Sequence, residues 1–146
     1  MYLVKKITTK EYKKCHEIDL MTIKLWNIKQ WEKELRKKYV YAFACFSNYK
    51  IVGICVFQKI FSNAELTYLS IHPTFKRRGL GKKLLEEIFK QCKIFAIEKI
   101  LLEVSEKNLA ALNFYHSLGF KITGIRKKYY KDGSNALLQE KKLLKK

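Results

Sequence analysis

Residues 65–82 carry the pattern from which the architecture of this chain is inferred: Glu65-Leu66-Thr67-Tyr68-Leu69-Ser70-Ile71-His72-Pro73, then Lys76-Arg77-Arg78-Gly79-Leu80-Gly81-Lys82. The first segment alternates and ends at a proline, which predicts a strand. Its alternation changes phase, because Leu66 and Tyr68 share one face whereas Leu69 and Ile71 share the other. A β-bulge produces such a slip, so we expect one in this strand.

The second segment is a basic, glycine-rich turn that leads from a strand directly into a helix, since apolar residues recur at helical spacing from Leu84 to Cys92. Unpaired N–H groups and the positive end of the helix dipole lie at such a helix start. Gly79 and Gly81 would let the backbone approach an anion closely. The turn therefore suits a pyrophosphate, although a basic turn that only starts a helix is the simpler alternative. Its spacing matches neither the dinucleotide-binding fingerprint nor a Walker A loop.

The rest of the chain alternates between helical and strand patterns. Helices are predicted after the capping-box pattern at Thr8, after Asn27, and from Asn108 to Gly119. Strands are predicted at residues 40–46, 51–60, 100–105, 121–130 and 136–143, the last two joined by an Asp-Gly hairpin turn. The order helix, helix, three strands, helix, strand, helix, two strands predicts a three-layer α/β domain with a mixed sheet.

Length, composition and charge limit the class of protein. A chain of 146 residues that is 48% hydrophobic, with one proline and no obvious linker, suits a single domain spanning residues 1–146. A net charge of +18 should attract polyanions, so RNA, the ribosome and phosphorylated cofactors are all compatible partners. The alternative is that the charge reflects only a lysine-rich surface. The charged amino-terminal segment and the lack of a long apolar run predict a soluble, cytoplasmic protein without membrane association.

The cysteines and histidines give no sign of a metal site. Cys15, Cys45, Cys55 and Cys92 form no Cys-x-x-Cys pair, and three of them lie inside periodic apolar segments. We therefore expect reduced core residues, with neither a disulfide nor a structural zinc. The three histidines are too scattered for metal-ligand spacing.

Three polar residues in the second half of the chain are candidates for chemistry. Glu103 lies in the middle of the apolar strand 100–105, where an unpaired charge is costly and desolvation would make a carboxylate a better base. The alternatives are a solvent-facing strand edge or an ion pair with a neighbouring lysine. Asn108 suits a helix cap. Tyr115, about two helical turns later, sits where an aromatic usually joins the core, but a buried phenol would need a partner.

Taken together, these motifs resemble the GCN5-related N-acetyltransferase (GNAT) superfamily over nearly the whole chain. The matching segments, in order, are residues 66–73, 76–81, 102–104, 108 and 113–120. The resemblance implies the GNAT fold: a mixed, mostly antiparallel central sheet splayed at a β-bulge, with helices on both faces. It also implies transfer of an acetyl group from acetyl-CoA, the cosubstrate, to an amine without a metal.

The resemblance also implies roles for individual residues. Leu69, Ser70 and Ile71 would place backbone groups beside the pantetheine and the thioester. Glu103 would act as the general base, and Tyr115 as the acid that protonates the departing thiolate. The coenzyme would further contact Arg77, Arg78, Gly79, Leu80, Gly81 and Lys82 at its pyrophosphate and Asn108 along its arm.

Further segments, residues 26–31 and residues 124–133 with 136–137, resemble the members of this superfamily that acetylate the N-terminal alanine of a small-subunit ribosomal protein. Ser134 and Asn135 depart from that pattern, which often has acidic residues there. The implied partner is a protein N-terminus or peptide. The pKa of an α-amine is about 2.5 units below that of a lysine side chain, so the α-amine loses its proton more easily. This difference also favours a protein N-terminus as the acceptor. Another N-terminus, a lysine or a small amine stays open, as does a non-enzymatic basic module that binds RNA or the ribosome.

Overall fold

The computed structural model describes residues 1–143, so residues 144–146 of the expected single domain lie outside the described part. The strands are β1 (Tyr2–Ile7), β2 (Val40–Ser47), β3 (Lys50–Ile60), β4 (Asn63–Ile71), β5 (Lys99–Ser105), β6 (Lys121–Arg126) and β7 (Ala136–Lys142). The helices are α1 (Tyr12–Leu20), α2 (Ile28–Arg36), α3 (Leu80–Ile94) and α4 (Leu109–Ser117), with short 3-10 turns at Thr9–Glu11 and Pro73–Phe75.

The strands form one seven-stranded sheet in the order β1-β2-β3-β4-β5-β7-β6, in which only β4 and β5 run parallel. Helices α3 and α4 pack on one face, and α1 and α2 cover the other. The predicted mixed, mostly antiparallel sheet with helices on both faces is confirmed. Strand β1 was missed because it lies at the sheet edge and buries only Ile7 fully, so its apolar pattern is weak.

Helices α2 and α4, and the 3-10 turn that leads directly into α1, begin at the predicted capping residues. The Thr8 side chain and the Glu11 carboxylate cap each other's backbone ahead of α1. Asn27 and Gln30 do the same for α2, with both hydrogen bonds at 2.8 Å. Because a capping box satisfies backbone donors that the first turn leaves free, these short signals locate helix starts well.

Strand β4 carries the expected bulge, but earlier than predicted. Val56 of β3 pairs with Tyr68 and Phe57 pairs with Leu66, so Thr67 is the extra residue. Its hydroxyl donates to the Val56 carbonyl at 3.2 Å. Leu66 lies in the core under α3 and α4, whereas Tyr68 lies in the core under α1 and α2. The prediction that these two residues share one face was therefore wrong, because the extra residue falls between them.

Beyond the bulge, β4 and β5 separate. Their parallel pairing is limited to Asn63 with Lys99, Ala64 with Ile100, and Glu65 with Leu101. Within residues 1–143, no later residue of β4 pairs with β5, although β4 stays paired with β3 as far as Ile71 and β5 with β7 as far as Ser105. Residues 66–71 of β4 and 102–105 of β5 thus border an opening, called here the β4–β5 cleft. The predicted splaying of the sheet is confirmed.

The carboxy-terminal strands pair as predicted but are joined by a longer connection. Strand β6 ends at Arg126 rather than Tyr130, and residues 127–135 lead to β7. Gly133 adopts a positive φ of 84° and its N–H donates to the Tyr130 carbonyl at 3.0 Å, so the Asp-Gly turn lies inside this connection. Lys128 N–H also donates to the Asn135 side chain at 2.9 Å, a contact that replaces the expected strand pairing.

Candidate active site

One wall of the cleft is formed by the end of β4, where the sequence placed Leu69, Ser70 and Ile71. Leu69 and Ile71 pack against the core under α3 and α4. Ser70 turns to the other face, where its hydroxyl donates to the Tyr68 hydroxyl at 2.7 Å. Since this part of β4 has no β5 partner in the described residues, its backbone groups on that side are free to bind a ligand. Free N–H groups beside a reacting carbonyl can stabilise an oxyanion.

The turn after β4 presents a helix start to solvent. Gly79, immediately before α3, has a left-handed φ of 76°, and Arg77 has a φ of 63°. Lys83 N–H donates to the Gly79 carbonyl at 3.1 Å and closes the first helical turn. The N–H groups of residues 80–82 precede that bond and point out of the helix, as an anion site at a helix start requires.

Two residues of this turn make contacts that the sequence did not predict. The Arg78 guanidinium donates to the Tyr2 hydroxyl at 2.8 Å and lies over the Phe75 ring at 4.9 Å. Its side chain therefore ties the turn to β1. At Gly81, an added Cβ would lie 3.2 Å from Phe114, so this glycine allows α3 to approach α4 closely.

The remaining cations of the turn are available. Lys76, Arg77 and Lys82 are exposed, and none of them forms an ion pair within residues 1–143. Together with the helix start, these charges provide a surface for a diphosphate.

Glu103 lies on the β5 side of the cleft, but it is not the isolated buried charge that the sequence suggested. Its side chain is 26% exposed, and Oε1 lies 3.0 Å from Nε of Arg126, which reaches across β7 from β6. An ion pair was among the alternatives, although with a lysine. The partner is therefore Arg126, which comes from a distant strand.

Two tyrosines of the β6–β7 connection accompany this ion pair. Burial, and then the nearby charge of Glu103, raise the pKa of Tyr130. The Arg126 guanidinium lies 5.5 Å from the centre of the Tyr129 ring, and that ring is half exposed. These aromatic surfaces beside a carboxylate suit an acceptor that carries an amine.

Tyr115 comes from α4 and is 8% exposed in the core under α3 and α4. Its ring packs edge-on against Phe114 and Phe120, with centroids at 5.2 and 5.5 Å. Burial, together with the nearby Cys55 thiol, raises the pKa of Tyr115 well above the usual tyrosine value. The phenol therefore keeps its proton at neutral pH, as a proton donor must.

Glu103 and Tyr115 approach the sheet from opposite faces. Leu102 and Val104 point into the core that contains Tyr115, so the intervening Glu103 side chain points to the α1–α2 face. The β4–β5 cleft lies where the sheet is open between these faces. Glu103 therefore borders this cleft from β5, and Tyr115 lies in the core on the opposite face of the sheet.

Asn108 directly precedes α4 and acts as its cap. Its Oδ1 accepts a hydrogen bond from Ala111 N–H at 3.1 Å, and the residue is exposed. The helix-cap interpretation of this residue is confirmed.

The sequence missed a buried carboxylate on the other face of the sheet. Asp19 is fully buried and bonded to Tyr68, the residue next to the bulge. A signal for it was present, because Asp19 follows Cys15 by four residues and so lies on the core face of α1. The role of Arg126 was missed for a different reason, since only the pairing of three strands brings it to Glu103.

The four cysteines are all buried and free, as core thiols. None of the helices within residues 1–143 is long and apolar enough to cross a bilayer. The same part of the chain contains no group of three or more His, Cys, Asp or Glu side chains arranged to hold a metal ion.

Comparison with known proteins bears on the family and the fold. The model of the Acetyltransferase (GNAT) family matches residues 3–120. The [ribosomal protein bS18]-alanine N-acetyltransferase of Escherichia coli K12 is 30% identical over 105 residues, which cover 72% of this chain and 70% of that protein. The crystal structure of the ribosomal-protein-S18-alanine N-acetyltransferase from Escherichia coli superposes with a TM-score of 0.93 at 25% identity, over 100% of this chain and 96% of that one.

A more distant structure shares the fold. The PaiA N-acetyltransferase of Thermoplasma acidophilum, solved in complex with coenzyme A, has a TM-score of 0.73 at 20% identity, over 97% of this chain and 99% of that one.

The chain belongs to the GNAT family of acetyltransferases. It is an N-acetyltransferase that uses acetyl-CoA, and it is similar in sequence and fold to enzymes named for acetylating a ribosomal protein. Membership of this family argues against the alternative of a non-enzymatic basic module. Nothing in the structure or the comparisons supports a nonspecific attraction to RNA.

Proposed function

We propose that this chain acetylates the N-terminal α-amine of a protein, with the N-terminal alanine of ribosomal protein bS18 as the candidate acceptor. Glu103 would be the general base and Tyr115 the general acid. A ribosomal acceptor would place the reaction in the cytoplasm. We also propose that residues 1–146 act as one catalytic domain, which the family match over residues 3–120 supports.

The observation that carries this proposal is the placement of Glu103 and Tyr115 on opposite faces of a sheet that is open between β4 and β5. Direct attack of an amine on a thioester needs proton removal on the side of the amine and proton delivery on the side of the sulfur. An opening reached from both faces provides these two sides without a covalent enzyme intermediate.

The residues present fit acetyl-CoA, which supplies the acetyl group as a thioester. The N–H groups of residues 80–82, with Lys76, Arg77 and Lys82, would bind the diphosphate. The free backbone groups of residues 69–71 would bind along the cleft and stabilise the developing oxyanion.

The two proton steps are assigned to Glu103 and Tyr115. Glu103 would accept a proton from the acceptor ammonium, directly or through water, because only the neutral amine is nucleophilic. Tyr115, whose pKa is raised by burial, would hold its proton until it donates to the departing thiolate.

The choice of acceptor is supported by the similar enzymes and by acid–base chemistry. The Escherichia coli relative, similar in sequence and in crystal structure, is an alanine N-acetyltransferase of a ribosomal protein. An α-amine is also neutral in a larger fraction than a lysine at physiological pH, since the two groups titrate about 2.5 units apart.

The test is acetylation of a peptide panel, with thiol release to follow the rate and mass spectrometry to locate the acetyl group. The panel includes the bS18 amino terminus, other amino termini, and the same peptides with a blocked terminus and an internal lysine. We expect acetylation of the free terminus, and a loss of roughly 10²- to 10⁴-fold in kcat/KM for Glu103→Gln and Tyr115→Phe, typical of a lost general base or acid.

Exposed positions provide matched controls. Glu86→Gln on α3 and Tyr49→Phe on the β2–β3 turn make the same chemical changes at exposed positions and should retain wild-type rates. Acetylation of the blocked, lysine-containing peptides alone would refute the terminal acceptor. Wild-type rates in both active-site variants would refute the assigned roles.

A further inference from the structure

A buried hydrogen-bond network lies directly beside the proposed site and has no part in the proton steps. At its centre is Asp19, fully buried at the end of α1. Leu25 N–H donates to both carboxylate oxygens at 3.1 Å, and Trp26 N–H to one of them at 2.9 Å. The Trp31 indole N–H donates at 3.0 Å and the Tyr68 hydroxyl at 3.1 Å.

These donors compensate the burial of the charge. Burial works to raise the pKa of Asp19, but the hydrogen bonds from Trp26, Leu25, Trp31 and Tyr68 together hold this pKa below its ordinary value. The carboxylate is thus ionised and saturated with donors, so it is not available as a base. A buried anion that does no chemistry is expected to hold its donors in place.

The donors come from two separate parts of the fold. Leu25, Trp26 and Trp31 belong to the α1–α2 connection (residues 21–27) and to α2, and Tyr68 belongs to β4. Tyr68 extends the network further, because its hydroxyl accepts from Ser70 Oγ at 2.7 Å and lies 3.3 Å from Thr22 Oγ1. The network therefore connects the α1–α2 connection to the two β4 residues on either side of Leu69.

That part of β4 lacks support on its cleft side. From residue 66 onward β4 has no ladder to β5 in the described residues, and only β3 holds its backbone. The backbone of residues 69–71 is the segment proposed to bind the thioester. Oxyanion donors have to be held within a fraction of an ångström, since misplacement of about 1 Å can cost 10²-fold in rate.

We infer that Asp19 is a positioning residue, which through the Tyr68 and Ser70 hydroxyls holds the cleft-side backbone of residues 69–71 in place for acetyl transfer. This inference rests on the proposed role of that backbone. The side-chain network takes the place of the missing β5 ladder. The network should therefore affect the rate of acetyl transfer. It should not affect binding of the diphosphate, because the diphosphate site lies at the start of α3.

The variant Tyr68→Phe tests the link between Asp19 and β4. It removes the hydroxyl but keeps the ring that stacks on Trp26, with centroids at 5.6 Å. The matched control, Trp31→Phe, removes the indole N–H that donates to the same carboxylate from the α2 side. It keeps an aromatic ring next to the Tyr68 ring, whose centroid lies 4.9 Å from that of Trp31, and it keeps the Tyr68 hydroxyl itself. This substitution also opens a cavity at a fully buried position. The melting temperature of Trp31→Phe should therefore fall at least as far as that of Tyr68→Phe.

Three quantities are measured for each variant: kcat for acetyl transfer, the dissociation constant for coenzyme A, and deuterium uptake of residues 66–72. For Tyr68→Phe we expect kcat to fall roughly tenfold or more, with faster uptake and near wild-type coenzyme affinity. For Trp31→Phe we expect kcat and uptake near wild type despite its lower melting temperature.

The opposite ranking would overturn the inference. If kcat follows the melting temperature, so that Trp31→Phe is the slower enzyme, or if uptake is unchanged in Tyr68→Phe, the network only stabilises the fold. Because uptake is measured without an acceptor, it is independent of the substrate assignment. A wild type that acetylates none of the free termini, with uptake altered as expected, would refute the proposed acceptor alone.

Discussion

Among single residues, Gly79 controls the geometry of the loop before α3. Its φ of 76° is a region that side-chain-bearing residues rarely adopt, and an added Cβ would meet nothing within 4 Å. The cost of Gly79→Ala is therefore conformational, on the order of 1 kcal/mol of unfolding free energy. Because the loop is proposed to bind the diphosphate, we also expect a higher KM for acetyl-CoA. Urea denaturation and initial rates measure the two effects.

The control for this prediction is Gly79→Asn. Asparagine tolerates the left-handed region better than alanine, so both the loss of stability and the increase in KM should be smaller. Equal effects of the two substitutions would show that the backbone conformation of this loop does not matter.

Among the secondary-structure elements, the starts of α2 and α4 offer a matched comparison. Asn27 and Asn108 cap these helices through the same type of bond, to Gln30 N–H and Ala111 N–H. Replacing either asparagine with alanine should cost about 1 kcal/mol of unfolding free energy. Only Asn108→Ala should also raise the KM for acetyl-CoA, because only Asn108 is proposed to contact the coenzyme arm.

Comparison of the two variants separates the roles of a cap and a ligand contact. Thermal denaturation should show a similar loss of stability in both variants. Steady-state kinetics should show a higher KM for acetyl-CoA in Asn108→Ala only. If the two variants show the same KM for acetyl-CoA, Asn108 is a cap alone.

For the whole molecule, the Asp19 network makes stability depend on pH in the acid range. The pKa of Asp19 is lowered from its ordinary value of 3.8 on folding, so the unfolded chain binds this proton more tightly. Its contribution to the unfolding free energy is complete above pH 3.8 and is lost as the pH falls through the folded value. We expect the wild type to be more stable than Asp19→Asn at neutral pH. This difference in unfolding free energy should disappear as the pH falls below 3.8 and through the pKa of folded Asp19.

Urea denaturation of both proteins from neutral to acidic pH measures that advantage. The difference in unfolding free energy should be largest at neutral pH and should shrink on acidification. A difference that stays constant across the range would mean that the Asp19 carboxylate does not titrate with unfolding.

Sequence patterns were sufficient where the information is local. The caps at Thr8, Asn27 and Asn108 act on backbone groups within three residues, and they located three helix starts correctly. The alternation in residues 65–72 predicted that a bulge exists. It did not locate the bulge at Thr67, because that position depends on which residues of β3 pair with β4.

By itself, the sequence determined the order of most elements, the family resemblance, the glycine turn before α3 and the candidate pair Glu103 and Tyr115. Only the tertiary structure decided which partners the polar groups take. Arg78 meets Tyr2, which is 76 positions away, and Asp19 meets Tyr68, which is 49 positions away. Such contacts depend on the distances between strands and helices after packing, and no local spacing along the chain encodes those distances.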